Sequence, residues 1–91
     1  MARILIVDDD PADLRLIEKT VEKQGHVALT GGTVAEGLRV ARQEPLDTAI
    51  LDVLLPDGDG IELFRRIRDI DGTLPVVFVT ASGSSLSLIH I

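Results

Sequence analysis

Apolar positions along this chain fall into two patterns, short unbroken runs and longer stretches in which they recur every three or four residues. Arg3-Ile4-Leu5-Ile6-Val7 is an unbroken run rich in β-branched residues. A strand covered on both faces needs no alternation, so this run predicts a buried strand of a parallel sheet. Asp10 before Pro11 reads as a helix N-cap with proline at the first helical position. Leu14, Ile17 and Val21 share one face of the helix that follows, and Gly25 stops it. Val27-Ala28-Leu29-Thr30 predicts a second, weaker strand, and Gly31-Gly32 a turn. Thr33 with Glu36 forms a capping box, opening a helix that ends before Pro45. Gly37 inside it costs about 1 kcal/mol against Ala, which points to close packing there. Leu46 to Leu51 predicts a third strand ending at Asp52, and Leu54 to Gly60 a loop. Ile61, Phe64 and Ile67 would form the apolar face of a third helix, closed by Gly72. Pro75 to Thr80 predicts a fourth strand. Strands alternating with helices give an α/β fold, a doubly wound parallel sheet with right-handed crossovers. After Thr80 the pattern breaks down: residues 82–85 read as flexible and polar, and residues 86–91 offer no cap, partner strand or turn.

The length of 91 residues confines this pattern to one small domain. Cys is absent, which excludes disulfides, thiolate metal sites and a Cys nucleophile. The only aromatics are Phe64 and Phe78, too few for a single-stranded nucleic-acid platform. A net charge of −6 argues against nucleic-acid binding by this segment. The apolar runs are too short to cross a bilayer and the N-terminus lacks a secretory pattern, so a cytoplasmic location without membrane contact is expected.

The acids are concentrated. Asp8, Asp9, Asp10 and Asp13 follow the first strand, and Asp52, Asp57 and Asp59 follow the third. In an open parallel sheet, ligands bind beyond the carboxyl ends of the strands. Asp8, Asp9, Asp52 and Thr80 should therefore converge on one edge. Clustered carboxylates repel, and a hard divalent cation such as Mg²⁺ relieves the repulsion. An Asp oxygen can then attack a phosphoryl group, and a hydroxyl such as that of Thr80 can bond a phosphate oxygen. Asp10, Asp13, Asp57 and Asp59 are read as cap or turn residues, and His26 as a surface residue. Gly31-Gly32 lacks the frame of a phosphate loop.

These residues carry a resemblance. Ile4-Leu5-Ile6-Val7-Asp8-Asp9-Asp10 resembles the first strand and acidic pocket of a response-regulator receiver domain. Asp52-Val53-Leu54-Leu55-Pro56-Asp57-Gly58-Asp59-Gly60 is similar to that family's phosphoacceptor segment, with its Pro and Gly at Pro56 and Gly60. Pro75 to Ala81 resembles its fourth strand, ending in the switch Thr and a small residue. The match runs from about Arg3 to Gly83. The resemblance implies a flavodoxin-like sheet. It also implies phosphorylation of Asp52 by a histidine kinase or phosphotransfer protein. Asp9 would bind Mg²⁺ directly, Asp8 mainly through water, and the Leu54 carbonyl would complete the protein ligands. Thr80 would move toward the phosphoryl group, with Ala81 leaving room. The apolar Leu54 side chain would orient no attacking water, which implies slow hydrolysis. Such a domain catalyses its own phosphorylation and slow dephosphorylation and switches a downstream output such as transcription. A dimer partner would belong to the full-length protein.

The chain departs from the pattern after its fourth strand. The family's fourth helix, fifth strand and fifth helix have no counterpart, and neither does the fifth-strand lysine. Lys19 and Lys23 lie in the first helix and cannot replace it. The fourth strand would then be an open edge, and apolar surface beside the first helix would be bare, so a chain that is unstable, molten or aggregation-prone is expected. Residues 1–85 read as a partial receiver. Residues 86–91, Leu-Ser-Leu-Ile-His-Ile, match the translation of a transposon mosaic-end sequencing adapter and read as a non-native tail. Two other functions fit some of these residues. Asp8-x-Asp10 resembles the nucleophile motif of haloacid-dehalogenase-type phosphohydrolases, with Asp8 as acceptor. A degenerate receiver-like interaction module without phosphorylation is the third reading.

Overall fold

A computed structural model describes the backbone of residues 1–82 and 85–90 and the side chains of residues 1–79. The elements follow in the order β1 (Arg3–Val7), α1 (Pro11–Lys23), β2 (Val27–Gly31), α2 (Val34–Gln43), β3 (Thr48–Asp52), β4 (Leu54–Leu55), β5 (Gly58–Asp59), α3 (Gly60–Ile70), β6 (Val76–Ser82) and β7 (Ser85–His90). The main sheet has the order β2-β1-β3-β6-β7. Its first four strands are parallel. The chain is thus the expected doubly wound α/β sheet, with three helices among the described residues.

Side chains alternate across the strands and so feed two different faces. Leu5, Val7, Ala49, Leu51, Val76 and Phe78 pack against Val34 and Leu38 of α2 and Leu63 and Ile67 of α3. This face holds the main core. On the other face, covered by α1, Ile6 and Val79 are buried, but Ile4, Ile50 and Val77 are only half-buried. Leu14 and Ile17 of α1 are half-buried too, and Leu16 is 58% exposed. One helix does not cover a sheet face of this width, as the sequence implied.

Four expectations need correction. The fourth strand is not an open edge. It is β6, and β7 pairs with it antiparallel from Val77↔His90 to Ser82↔Ser85. The unpaired groups of an edge strand accept an extended segment that returns to them. Only two residues separate β6 from β7, so the return is antiparallel. Residues 85–90 therefore do have a partner strand, and β6 continues past Thr80 to Ser82. Next, β3 begins at Thr48, later than Leu46. The segment after Asp52 is also not all loop, because β4 and β5 form a small antiparallel hairpin. Finally, the buried face of α3 is Gly60, Leu63 and Ile67, whereas Ile61 is 38% exposed. Gly60 is held against the end of β3, which turns its i+3 and i+7 neighbours inward. Phe64 lies at the flank, edge-on to Phe78 with ring centroids 5.8 Å apart.

The close packing expected at Gly37 is present. A Cβ there would lie 2.8 Å from Val7 Cγ2 and 2.9 Å from Leu63 Cδ2. Gly37→Ala has two opposed effects. Helix propensity favours Ala by about 1 kcal/mol, while overpacking costs about 1–3 kcal/mol. Val7 and Leu63 are fully buried and have little room to yield. The expected net is a loss of about 1 kcal/mol, a fall of roughly 4–8 °C in Tm by circular dichroism. A rise in Tm would show that α2 can shift outward freely.

Candidate functional site

Val7 of β1 pairs with Leu51 of β3, so the residues that follow leave the sheet side by side. Those residues are Asp8-Asp9 and Asp52. Asp8 is 3% exposed. Its Oδ1 accepts the Asp10 N–H at 2.9 Å, and its own N–H donates to the Gly31 carbonyl at 3.1 Å. Asp52 is half-buried, and its Oδ1 accepts the Leu54 N–H at 3.3 Å. One oxygen from each of Asp8, Asp9 and Asp52 lies within 4.8 Å of the others. An open cavity of about 660 Å³ borders them, lined by Asp9, Asp10, Asp13, Asp52 and residues 53–56.

Burial pushes the Asp8 carboxyl up to about 6, against the Asp10 N–H that favours its charge; the neighbouring Asp52 raises it further. Burial also raises Asp52, opposed by the Leu54 N–H and by a hydrogen bond from Asp8. Burial and the neighbouring carboxylates thus make full ionisation of the pocket unfavourable. A divalent cation would remove that penalty, and oxygen donors of this kind suit Mg²⁺.

A pH dependence follows. Asp8 has an ordinary value of 3.8 and a native value of about 6. Between these limits the native chain binds more protons than the unfolded chain, so stability falls as pH rises. The contribution is fully present below about pH 4 and lost above about pH 6. Asp57 and Asp71 are shifted downward by backbone N–H donors, so their effect lies below this window. Thermal melts in chelator should show Tm declining between about pH 4 and 6, and Mg²⁺ should raise Tm more at about pH 7.5 than at about pH 5. Equal effects of Mg²⁺ at both pH values would contradict this account.

The loop that follows Asp52 is fixed by contacts of its backbone. Gly60 N–H donates to the Val53 carbonyl at 2.8 Å. A Cβ on Gly60 would lie 2.1 Å from the Asp52 carbonyl oxygen, so only glycine permits this approach. Asp59 is the N-cap of α3, its Oδ1 accepting the Glu62 N–H at 2.7 Å. Asp57 does more than the expected turn role: its carboxylate reaches the N-terminus of α2, accepting from Val34 at 2.8 Å and Ala35 at 3.1 Å. These partners lie over twenty residues away in sequence, and no local signal announces them.

The remaining expected residues divide clearly. Asp10 is the N-cap of α1, accepting the Ala12 N–H at 2.9 Å, and it also borders the cavity. Leu54 is 76% exposed on the cavity wall. Val79 pairs with Asp52, so the backbone sets Thr80 and Ala81 just beyond that pair; their side chains lie outside the described residues. His26 is remote from the pocket, its Nδ1 accepting the Ala2 N–H at 3.0 Å. Lys19 and Lys23 stand exposed on α1.

Comparison with known proteins gives this geometry its family. The profile of the response regulator receiver domain matches residues 4–90. This chain belongs to that family. The receiver is 39% identical over 83 residues to the transcriptional regulatory protein GlrR of Escherichia coli K12, covering 91% of this chain and 19% of GlrR. It thus spans about a fifth of that relative. A CheY-like receiver domain from Methanospirillum hungatei superposes with a TM-score of 0.86 at 33% identity, over 92% of this chain and 67% of the other. TrrA of Thermotoga maritima, solved in complex with Mg²⁺ and BeF, superposes with a TM-score of 0.85 at 29% identity, over 91% of this chain and 72% of TrrA. The receiver is a component of two-component signalling. Its family implies an interaction with histidine kinases or phosphotransfer proteins. Among its described residues, no helix is long and apolar enough to cross a membrane.

Proposed function

We propose that this receiver accepts a phosphoryl group on Asp52 from a phosphohistidine donor, with Mg²⁺ as cofactor, and relays the change to a downstream output such as transcription in the cytoplasm. The observation that carries this reading is the convergence of Asp8, Asp9 and Asp52 at one strand edge, beside an open cavity. A carboxylate oxygen of Asp52 attacks phosphorus and forms the new O–P bond. The donor's N–P bond breaks, and the imidazole leaves with the electron pair and takes up a proton. Asp9 and Asp52 would hold the cation directly, Asp8 through water, and the Leu54 carbonyl would complete the set. A bound Mg²⁺ supplies charge neutralisation at the phosphoryl oxygens. With the charge of the cation beside them, Asp8 and Asp52 would both be held ionised, which leaves Asp52 as the nucleophile. Thr80 and Ala81 follow Val79, the strand partner of Asp52, a position suited to a hydroxyl that contacts the phosphoryl group and a small neighbour that admits it.

The test is incubation with acetyl phosphate and Mg²⁺, followed by intact mass and peptide mapping. The expected result is one base-labile phosphoryl adduct on Asp52 that chelator prevents. Mg²⁺ binding without any adduct would favour a receiver that signals without phosphorylation.

A further inference from the structure

Asp57 lies on the acceptor segment, yet its carboxylate turns away from the pocket and onto α2. There Oδ1 accepts the Val34 N–H and Oδ2 the Ala35 N–H. Thr33 takes the next two donors, Glu36 N–H on its hydroxyl and Gly37 N–H on its carbonyl, each at 3.0 Å. The first turn of α2 is therefore fully satisfied, half of it by a residue from another element. The charge of Asp57 also suits the positive end of that helix.

The same stretch of chain reaches the opposite side of the pocket. The Gly31 carbonyl, just ahead of Thr33, accepts the Asp8 N–H. Residues 31–35 thus bridge the strand end that bears Asp8 and Asp9 to the hairpin that bears Leu54. Within that hairpin Leu54 pairs with Asp59 and Leu55 with Gly58, which puts Asp57 at its tip. Leu55 is buried in the core, and Gly60 N–H holds the base of the hairpin to Val53. Without the carboxylate of Asp57, the tip keeps no side-chain bond to α2 among the described residues.

We propose that Asp57 is a positioning residue for the cation site, fixing the Asp52–Leu54 side of the pocket against the Asp8–Asp9 side through the N-terminus of α2. The inference rests on the metal reading given under Proposed function. Asp57 touches neither cation nor phosphoryl group, so its effect is on affinity and loop order.

The experiment is a calorimetric Mg²⁺ titration of the full 91-residue chain, paired with amide hydrogen exchange at Leu54 and Gly60 by NMR. Asp57→Ala is expected to weaken Mg²⁺ binding roughly 10-fold, the low end of the cost of removing an outer support of a metal ligand. Asp57→Asn keeps one strong acceptor and should fall between. Asp71→Ala is the control. Its carboxylate holds Thr73 N and Oγ1, each at 3.0 Å, at the far end of α3. That variant loses comparable bonds and should leave Mg²⁺ affinity and exchange at Leu54 unchanged. Equal affinity in Asp57→Ala and wild type, or equal weakening in Asp71→Ala, would overturn the proposal. If the wild type takes up no Mg²⁺, the metal reading fails instead. The exchange measurement then decides alone: faster exchange at Leu54 in Asp57→Ala but not in Asp71→Ala supports the positioning role, and unchanged exchange refutes it.

Discussion

Asp52→Asn is expected to eliminate phosphoryl adduct formation. The carboxamide presents a neutral, weakly nucleophilic oxygen where the reaction needs a carboxylate. Loss of a covalent nucleophile costs on the order of a million-fold in rate, which takes the adduct below detection. Asp9→Asn provides the contrast, because it weakens the cation site and leaves the nucleophile in place. Raising Mg²⁺ should restore part of the adduct in Asp9→Asn and none in Asp52→Asn. A second signature separates a chemical role from a folding defect. Asp52 is one of the charges that raise Asp8. Removing it relieves the buried pair, so cation-free Asp52→Asn should melt higher than wild type above about pH 6. An adduct that persists in Asp52→Asn would move the acceptor to Asp8 or Asp9 and revive a phosphohydrolase-like reading.

The largest effect on stability is expected for Gly60→Ala. The added Cβ would meet the Asp52 carbonyl oxygen at 2.1 Å and the Val53 Cα at 3.3 Å. Both obstacles are backbone, so no side chain can swing aside. The start of α3 must retreat by about 1 Å to restore ordinary contact. That retreat disturbs the Gly60–Val53 hydrogen bond and the packing of Leu63, which is fully buried. The expected cost is about 3 kcal/mol or more, the top of the overpacking range. For a domain of this size that corresponds to a fall of roughly 12–24 °C in Tm. The Gly37→Ala effect should be several-fold smaller, since its neighbours are side-chain ends. A Gly60→Ala chain that melts within a few degrees of wild type would show that the α3 contact does not constrain the Asp52 segment.

Much of this was legible in the sequence because it is local. The run from Ile4 to Val7, the caps Asp10 and Thr33, and the stop at Gly25 each depend on neighbours in the chain, and each stands where the pattern put it. The convergence of Asp8, Asp9 and Asp52 also followed, because parallel strands deliver their carboxyl ends to one edge. What the pattern missed depends on tertiary contact. The rotation of α3 is set by the approach of Gly60 to Asp52, which periodicity does not report, so Ile61 was assigned to the face that Leu63 occupies. The bond from Asp57 to α2 spans two elements. The antiparallel partner of β6 follows from an edge that attracts any returning segment, and composition alone gives no register for it.

The interior position of β1 in the sheet bears on the proposed cation site. It is paired on both sides, and Leu5, Ile6 and Val7 are almost wholly buried. A strand so enclosed opens only with the whole domain. Asp8 and Asp9 continue directly from it and form a stiff jaw. The opposing jaw is the β4–β5 hairpin, two residues to a strand, with Leu54 and residues 56–59 exposed. Its opening costs far less. Mg²⁺ demands near-ideal octahedral geometry at short distance, whereas Ca²⁺ accepts a wider and looser shell. For a cation seated between the jaws, the closing movement belongs to the hairpin. With Mg²⁺ held there as proposed, discrimination between large and small ions would depend more on how far β4–β5 can close than on the aspartates of β1.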